Sequence, residues 1–443
     1  MKRLLYAIVA AALLVSPFAM NAKDNDRQHT LKIYNWSDYI DEDLLDEFEK
    51  WYEEQTGESV QVVYQLFDIN EVMLAKIERG HADYDLVCPS DYIIERMINN
   101  DLVLPIDKDF GQTPNYLDNV SPYISDLFAK MATGEKDARD YCVGYMWGTT
   151  GFLYNKKMVK DEDVKSWGAL LNPEFAGHIL MKDGFRDVYS PMLIYLNRDK
   201  IASGELDMEQ LMFDTSDESI ALVEDFLKTV KPNLLGWEAD YGKEMMSQEK
   251  AWLNLTWSGD AKWAIEEAKS VGVELGYTVP EEGSNVWFDG WLIPKYAQNV
   301  KAARYFINYM CRSDNAIRNM DEIGYVSAVG TEEVLDWMKE FAAKEGALDT
   351  LDASYFFGDA GKAVVVDPVF YADNSVIERC ALMHDSGERT KELLEMWSRV
   401  KGDNMNATTI IILAVAVVAI VAFVLAKAKK NARHKKSSAK RHK

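Results

Sequence analysis

The stretch LKIYNWSDYIDEDLLDEFEKWYEEQTGESVQVVY, residues 31–64, decides the fold. LKIYN (31–35) and VQVVY (60–64) are short runs rich in β-branched and aromatic residues and read as strands. Between them, Asp41–Gln55 opens on acids and sets Leu44, Leu45, Phe48, Trp51 and Tyr52 on one face, the pattern of an amphipathic helix. Two strands joined through a helix run parallel, because a tight turn can join only antiparallel neighbours. The alternation continues with a helix at Asn70–Arg79, a strand at Tyr84–Cys88 and a helix at Asp91–Asn99. This order predicts a parallel sheet covered by helices, an α/β fold. Such sheets bind ligands at the carboxyl ends of their strands, where Trp36–Tyr39 and Pro89–Tyr92 fall.

Farther along, Ile179–Met181 and Trp252–Trp257 suit strands, and Val188–Asn197, Glu218–Val230, Ala302–Cys311 and Glu332–Lys344 suit helices. CVGYMWGTT (142–150) and VWFDGWLIP (286–294) are extended, glycine-punctuated runs suited to crossing between two lobes. No internal repeat appears.

The two ends differ from the body. Lys2 and Arg3 precede apolar Leu4–Val15, with Ala19 and Ala22 as cleavage points, so residues 1–22 read as a secretory signal peptide. Thr408–Ala426 is a run of 19 residues without a charge, about the length that crosses a ~30 Å hydrocarbon core. Residues 427–443 then carry nine Lys/Arg and no acid, which holds that tail in the cytoplasm and places the long folded segment outside. The whole chain has a net charge of −23; setting aside those nine and Lys2 with Arg3 leaves −34 on residues 23–407. A body so acidic repels nucleic acid and attracts cations.

The four cysteines, Cys88, Cys142, Cys311 and Cys380, fit no metal or redox spacing and read either as disulfides or as buried thiols. The six histidines show no ligand spacing, and no metal or cofactor is expected. No nucleophile-elbow, zinc-hydrolase, phosphate-loop or dinucleotide motif is present; an acid-only hydrolase is the remaining enzymatic reading, and an enzyme is not expected.

Four segments share one composition: Trp-Ser-Asp-Tyr at 36–39, Pro-Ser-Asp-Tyr at 89–92, Trp-Ser-Gly-Asp at 257–260 and Trp-Phe-Asp-Gly at 287–290. A buried ammonium needs replacement hydrogen bonds and a countercharge, which carboxylates supply. Indole and phenol faces add cation–π attraction of roughly 0.5–2 kcal/mol and pack on methylenes. Such a box suits a flexible aliphatic cation.

These segments sit within longer ones. YNWSDYI (34–40), FDINEVMLAKI (67–77), YDLVCPSDY (84–92), GYMWGTTGFLYN (144–155), WSGDA (257–261), WFDGWLIP (287–294) and IGYVSA (323–328) resemble the spermidine/putrescine-binding proteins of polyamine ABC importers. The resemblance runs in order from about residue 30 to 330 and more loosely to about 402. It implies a two-lobed type II periplasmic binding protein, with 28–148 and 288–327 in one lobe and 149–287 and 328–402 in the other. It also implies a ligand, putrescine or spermidine, and partners, the ABC permease subunits with their ATPase. The binding protein itself is expected to be a monomer.

By the same resemblance, Trp36, Ser37, Asp38 and Tyr39 meet one end of the polyamine, and Ser90 and Tyr92 line the first lobe. Asp187 supplies an acid where the family usually has glutamate. Trp257 and Trp287 sandwich the alkyl chain, Asp260 and Asp289 add acids, Asp289 holding a buried ammonium, and Tyr325 closes the pocket. Ser37-Asp38 and Asp260 match putrescine binders, and Gly184 stands where spermidine binders place a further acid; Tyr92 matches spermidine binders, and Asp183, next to Gly184, can take that acid's place. The balance favours putrescine. The other reading is a binding protein or sensor for a different small cation. The C-terminal helix departs from the family and implies a membrane tether.

Overall fold

The computed structural model describes residues 27–79, 82–346 and 349–402. The signal segment 1–22, the apolar run 408–426 and the basic tail 427–443 lie outside the described residues. Among the described residues no helix is long and apolar enough to cross a membrane.

The opening alternation folds as its pattern predicts. Strand β1 (Thr30–Trp36) is followed by helix α1 (Asp43–Thr56), β2 (Gln61–Phe67), α2 (Asn70–Glu78), β3 (Leu86–Val87) and α3 (Asp91–Asn99). In α1, Asp43 and Asp46 occupy the first turn, where the helix dipole favours negative charge. Leu44, Leu45, Phe48 and Tyr52 are buried, and Gly57, at φ 73°, ends the helix with its N–H on Glu53 O. Trp51, at the margin of that face, packs its ring 5.2 Å from Tyr309. β1 pairs in parallel with β2 from Thr30↔Gln61 to Trp36↔Phe67 and with β3 at Ile33↔Leu86 and Tyr34↔Val87.

β3 is shorter than the apolar run suggests, for a local reason. The buried Asp85 carboxylate accepts from Lys32 N at 2.9 Å, from Arg27 Nη1 at 2.7 Å and from Gln298 N and Asn299 N at 2.8 Å each. The Asp85 side chain thus takes the Lys32 N–H that a longer strand would pair, while Asp85 N still donates to Lys32 O at 2.8 Å.

The described residues form twelve strands in all; the other nine are β4 (Val103–Leu104), β5 (Cys142–Asn155), β6 (Ile179–Lys182), β7 (Leu234–Glu238), β8 (Leu253–Trp257), β9 (Leu275–Thr278), β10 (Ser284–Pro294), β11 (Val326–Ser327) and β12 (Cys380–Leu382). Their main path is β2-β1-β3-β10-β5-β8-β6-β7. β5 belongs to both halves of that path. Its residues from Cys142 to Thr149 pair antiparallel with β10, and those from Thr150 to Tyr154 pair with β8. Every residue of β5 and β10 is buried. The second half is parallel at its centre, β8-β6-β7, and the helices α4 (Phe185–Leu196), α5 (Asp217–Val230) and α6 (Ser258–Ser270) accompany it. Helices α7 (Val300–Met310), α8 (Ser313–Ile323) and α9 (Glu332–Lys344) follow β10. Two α/β lobes joined through β5 are the result.

The four cysteines are buried free thiols. The chain also divides into two units at Thr390; of the second, the described part is helical to Gly402.

Candidate ligand-binding site

Parallel strands in both lobes end at the same kind of feature. β1 ends at Trp36 and turns through Ser37 and Asp38, the latter at φ 51°, to Tyr39. The segment after β3 carries Ser90 into the start of α3, where Tyr92 sits. β8 ends at Trp257 and leads directly into α6 with Asp260 in its first turn. β6 ends at Lys182 and leads to α4 with Asp187 in its first turn.

Asp289 of β10 is the centre of the first cluster. Its Oδ2 accepts from the Tyr39 hydroxyl at 2.7 Å. Its Oδ1 is buried with no partner in hydrogen-bond geometry, although the Ser90 hydroxyl beside it already favours the charged form. Ser90 and Asp289 are held together by a backbone bridge. Burial pushes the Asp289 carboxyl up to about 6, against the pull of the Tyr39 and Ser90 hydroxyls and with help from the Asp187 charge. Burial likewise raises Tyr39 well above its usual range, and the Asp289 charge adds to the effect. Asn70 spans the neighbouring side chains, donating to Ser90 Oγ at 3.1 Å and to Tyr92 Oη at 2.8 Å.

The second cluster surrounds Trp257. Its Nε1 donates to Asp187 Oδ1 at 2.9 Å. Burial raises Asp187 despite the Trp257 hydrogen bond and the nearby Lys182 charge. Asp260 accepts from Lys182 Nζ at 2.6 Å and from the Tyr325 hydroxyl at 2.7 Å. Burial works against its charge, but Lys182, Lys243 and the two hydrogen bonds outweigh it and hold Asp260 below the usual carboxylate range.

Tyr325 joins the clusters. Its ring lies 5.1 Å from Tyr39 and 5.8 Å from Trp287, edge-on and tilted respectively. Trp287 is buried with its Nε1 unpartnered, as is the Nε1 of Trp36, whose ring packs 4.4 Å from Phe67. Gly148 of β5 makes room here: a Cβ on it would meet Ser258 Oγ at 2.4 Å and the Trp287 ring at 2.6 Å.

The structure therefore brings together Tyr39, Ser90, Tyr92, Asp187, Trp257, Asp260, Trp287, Asp289 and Tyr325. Ser37 and Asp38 stay on an exposed turn, with the Ser37 hydroxyl donating to Asp68 at 3.2 Å. Four further residues belong to the site's surroundings and are not singled out by sequence reasoning. Asn70 lies inside FDINEVMLAKI, and Arg186 places its guanidinium 4.0 Å over the Tyr92 ring and 3.6 Å from Glu71. Lys182 and Glu238 form a buried ion pair at 3.0 Å. A lone lysine ending an apolar strand was the only signal for that pair.

Comparison with known proteins agrees with this architecture. The family model "Bacterial extracellular solute-binding protein" matches residues 44–348. The putrescine-binding periplasmic protein of Escherichia coli (strain K12) is 30% identical over 339 residues, covering 74% of this chain and 84% of that protein. The spermidine/putrescine-binding periplasmic protein of the same organism is 30% identical over 321 residues, covering 72% and 82%. The solved spermidine/putrescine ABC transporter substrate-binding protein of Streptococcus pneumoniae superposes with a TM-score of 0.62 at 28% identity, covering 84% of this chain and 98% of that one. The chain belongs to the bacterial extracellular solute-binding proteins, within the family of spermidine/putrescine-binding periplasmic proteins.

Proposed function

We propose that this chain captures a small aliphatic polyamine outside the cytoplasm, putrescine in preference to spermidine, and delivers it to the permease of an ABC importer. One observation carries the reading: Asp289 holds a buried carboxylate oxygen without a hydrogen-bond partner, and its other oxygen accepts from Tyr39, whose ring packs on Tyr325, itself packed against Trp287. A buried acceptor left open is costly, and a primary ammonium satisfies it with both charge and N–H. Asp187 offers the second carboxylate for the other end of a diamine, and Trp287 with Trp257 offers the apolar walls between. Asp260 acts through Lys182 and Tyr325, and Ser37 and Asp38 shape the rim. Members of this family bind solutes and are not enzymes.

Calorimetric titration of the full chain with putrescine, cadaverine, spermidine and spermine tests the reading. Saturable binding of at least one, without turnover, is the expected result; no binding to any of the four refutes it.

Lobe closure is the transport signal in this reading. A ligand touching both lobes binds the closed form better and shifts the population toward it. We take the lobes as 28–148 with 288–327 and 149–287 with 328–402, a division supported by the change of partner of β5 at Thr149. In this reading one copy forms the site and the binding unit is a monomer. The apolar run 408–426 tethers it to the membrane, with the basic tail inside, and raises its effective concentration at the importer. Removing residues 408–443 is then expected to leave affinity unchanged and to lower uptake by cells. Uptake equal to that of the intact chain, at matched protein levels, argues against the tether.

A further inference from the structure

We infer that Lys182 is a specificity-determining residue whose ammonium fills one amine position of the cleft, restricting the ligand to two ammonium groups; this rests on the polyamine reading above. The inference comes from the ends of three adjacent parallel strands. In the order β8-β6-β7, these strands end at Trp257, Lys182 and Glu238. Lys182 Nζ lies 2.6 Å from Asp260 Oδ2, 3.0 Å from Glu238 Oε1 and 3.2 Å from Ala239 O, and 4.0 Å over the Trp257 ring.

An ammonium has three N–H donors, and these three oxygens account for all of them. Two carboxylates, a carbonyl and an indole face are also what a polyamine nitrogen requires on leaving water. The chain has built an amine site and occupied it with its own side chain. The Lys182 side chain is 1% exposed. Glu238 is fixed independently, accepting from Gly242 N at 3.0 Å and Asn254 Nδ2 at 3.2 Å.

Three consequences bear on the ligand. One face of Trp257 is taken, so that indole can offer a ligand only its edge or its other face. Asp260 is compensated within the chain, so of the three aspartates in the two clusters Asp187 and Asp289 are the ones without a lysine partner among the described residues. A third ammonium directed toward Trp257 finds that indole face and the Asp260 and Glu238 oxygens already occupied by Lys182 Nζ.

The test is calorimetric titration of the full chain and its Lys182→Met variant with putrescine and spermidine. Methionine keeps an unbranched side chain one atom shorter and removes the charge. The wild type is expected to bind putrescine at least tenfold more tightly than spermidine, and the variant to shift that ratio at least tenfold toward spermidine. A purely structural ion pair would change stability and leave the ratio alone, so an unchanged ratio in folded Lys182→Met overturns the inference. Should the variant not fold, the wild-type ratio decides: spermidine bound as tightly as putrescine overturns it. A wild type that binds neither ligand refutes the polyamine reading itself, a result distinct from an unchanged ratio.

Discussion

Replacing Asp289 by asparagine is expected to weaken putrescine binding by two to three orders of magnitude while stabilising the ligand-free protein at neutral to alkaline pH. The opposite signs follow from one cause. In the complex the carboxylate compensates a buried ammonium; removing one partner of a buried ion pair costs about 3–4 kcal/mol, which is that fold-change in affinity. Without ligand the same carboxylate is buried with one oxygen unsatisfied. Its folded-state value is raised to about 6, whereas an unfolded aspartate titrates near 4. A raised carboxyl contributes its full stability below the unfolded value and loses it as pH climbs through the folded value. At pH 8 the ionised group therefore costs the folded state on the order of 2–3 kcal/mol. Asparagine escapes that cost and still accepts from Tyr39. Thermal unfolding of the ligand-free proteins at pH 8 and pH 4 should show the variant ahead at the first and level at the second. Affinity within threefold of wild type would remove Asp289 from the binding site.

Acid should weaken binding about tenfold between pH 7 and pH 5. Putrescine keeps both charges throughout that range, so the change comes from the protein. At pH 7 most Asp289 is already ionised; at pH 5 about nine in ten are protonated for a group titrating near 6, and each must lose its proton to hold an ammonium. Asp187, also raised by burial, acts in the same direction. Titrations near pH 5.5 in buffers of different ionisation enthalpy should reveal protons released on binding, and Asp289→Asn should flatten most of the pH profile. Equal affinity at pH 5 and pH 7 would mean that no burial-shifted carboxyl contacts the ligand.

Much of the fold was legible because local pattern and tertiary burial agree. Helix α3 spans Asp91–Asn99 and α9 spans Glu332–Lys344, the bounds that apolar spacing and acidic first turns indicate. β5 runs on to Asn155, beyond the Thr150 read from the glycines, because its second half is paired on both sides by β8 and β9. Helix α6 was hidden. Its WSGDA opening looks like a turn, and Lys262, which breaks its apolar face, is buried only because Asp367 and Glu266 compensate it at 2.8 and 2.9 Å. β12 is three residues long and exists by pairing with β10, a partner about a hundred positions earlier.

The site divides along the same line. Tyr39, Trp287 and Asp289 are visible as aromatic and acidic residues at strand and turn positions. The pairing of Lys182 with Glu238 and Asp260 depends on β6 lying between β7 and β8, an order that no short stretch of sequence contains.

The shared strand β5 also limits how the cleft can open. It is hydrogen-bonded on either side of Thr149–Thr150, and the glycines flanking that pair are crowded: a Cβ on Gly151 would lie 2.4 Å from Thr278 O. The joint is thus a strand paired on both sides of Thr149–Thr150, not a slack linker. A Cβ on Gly148 would meet the Trp287 ring at 2.6 Å, so in the proposed reading this joint abuts the indole offered as a wall for the ligand.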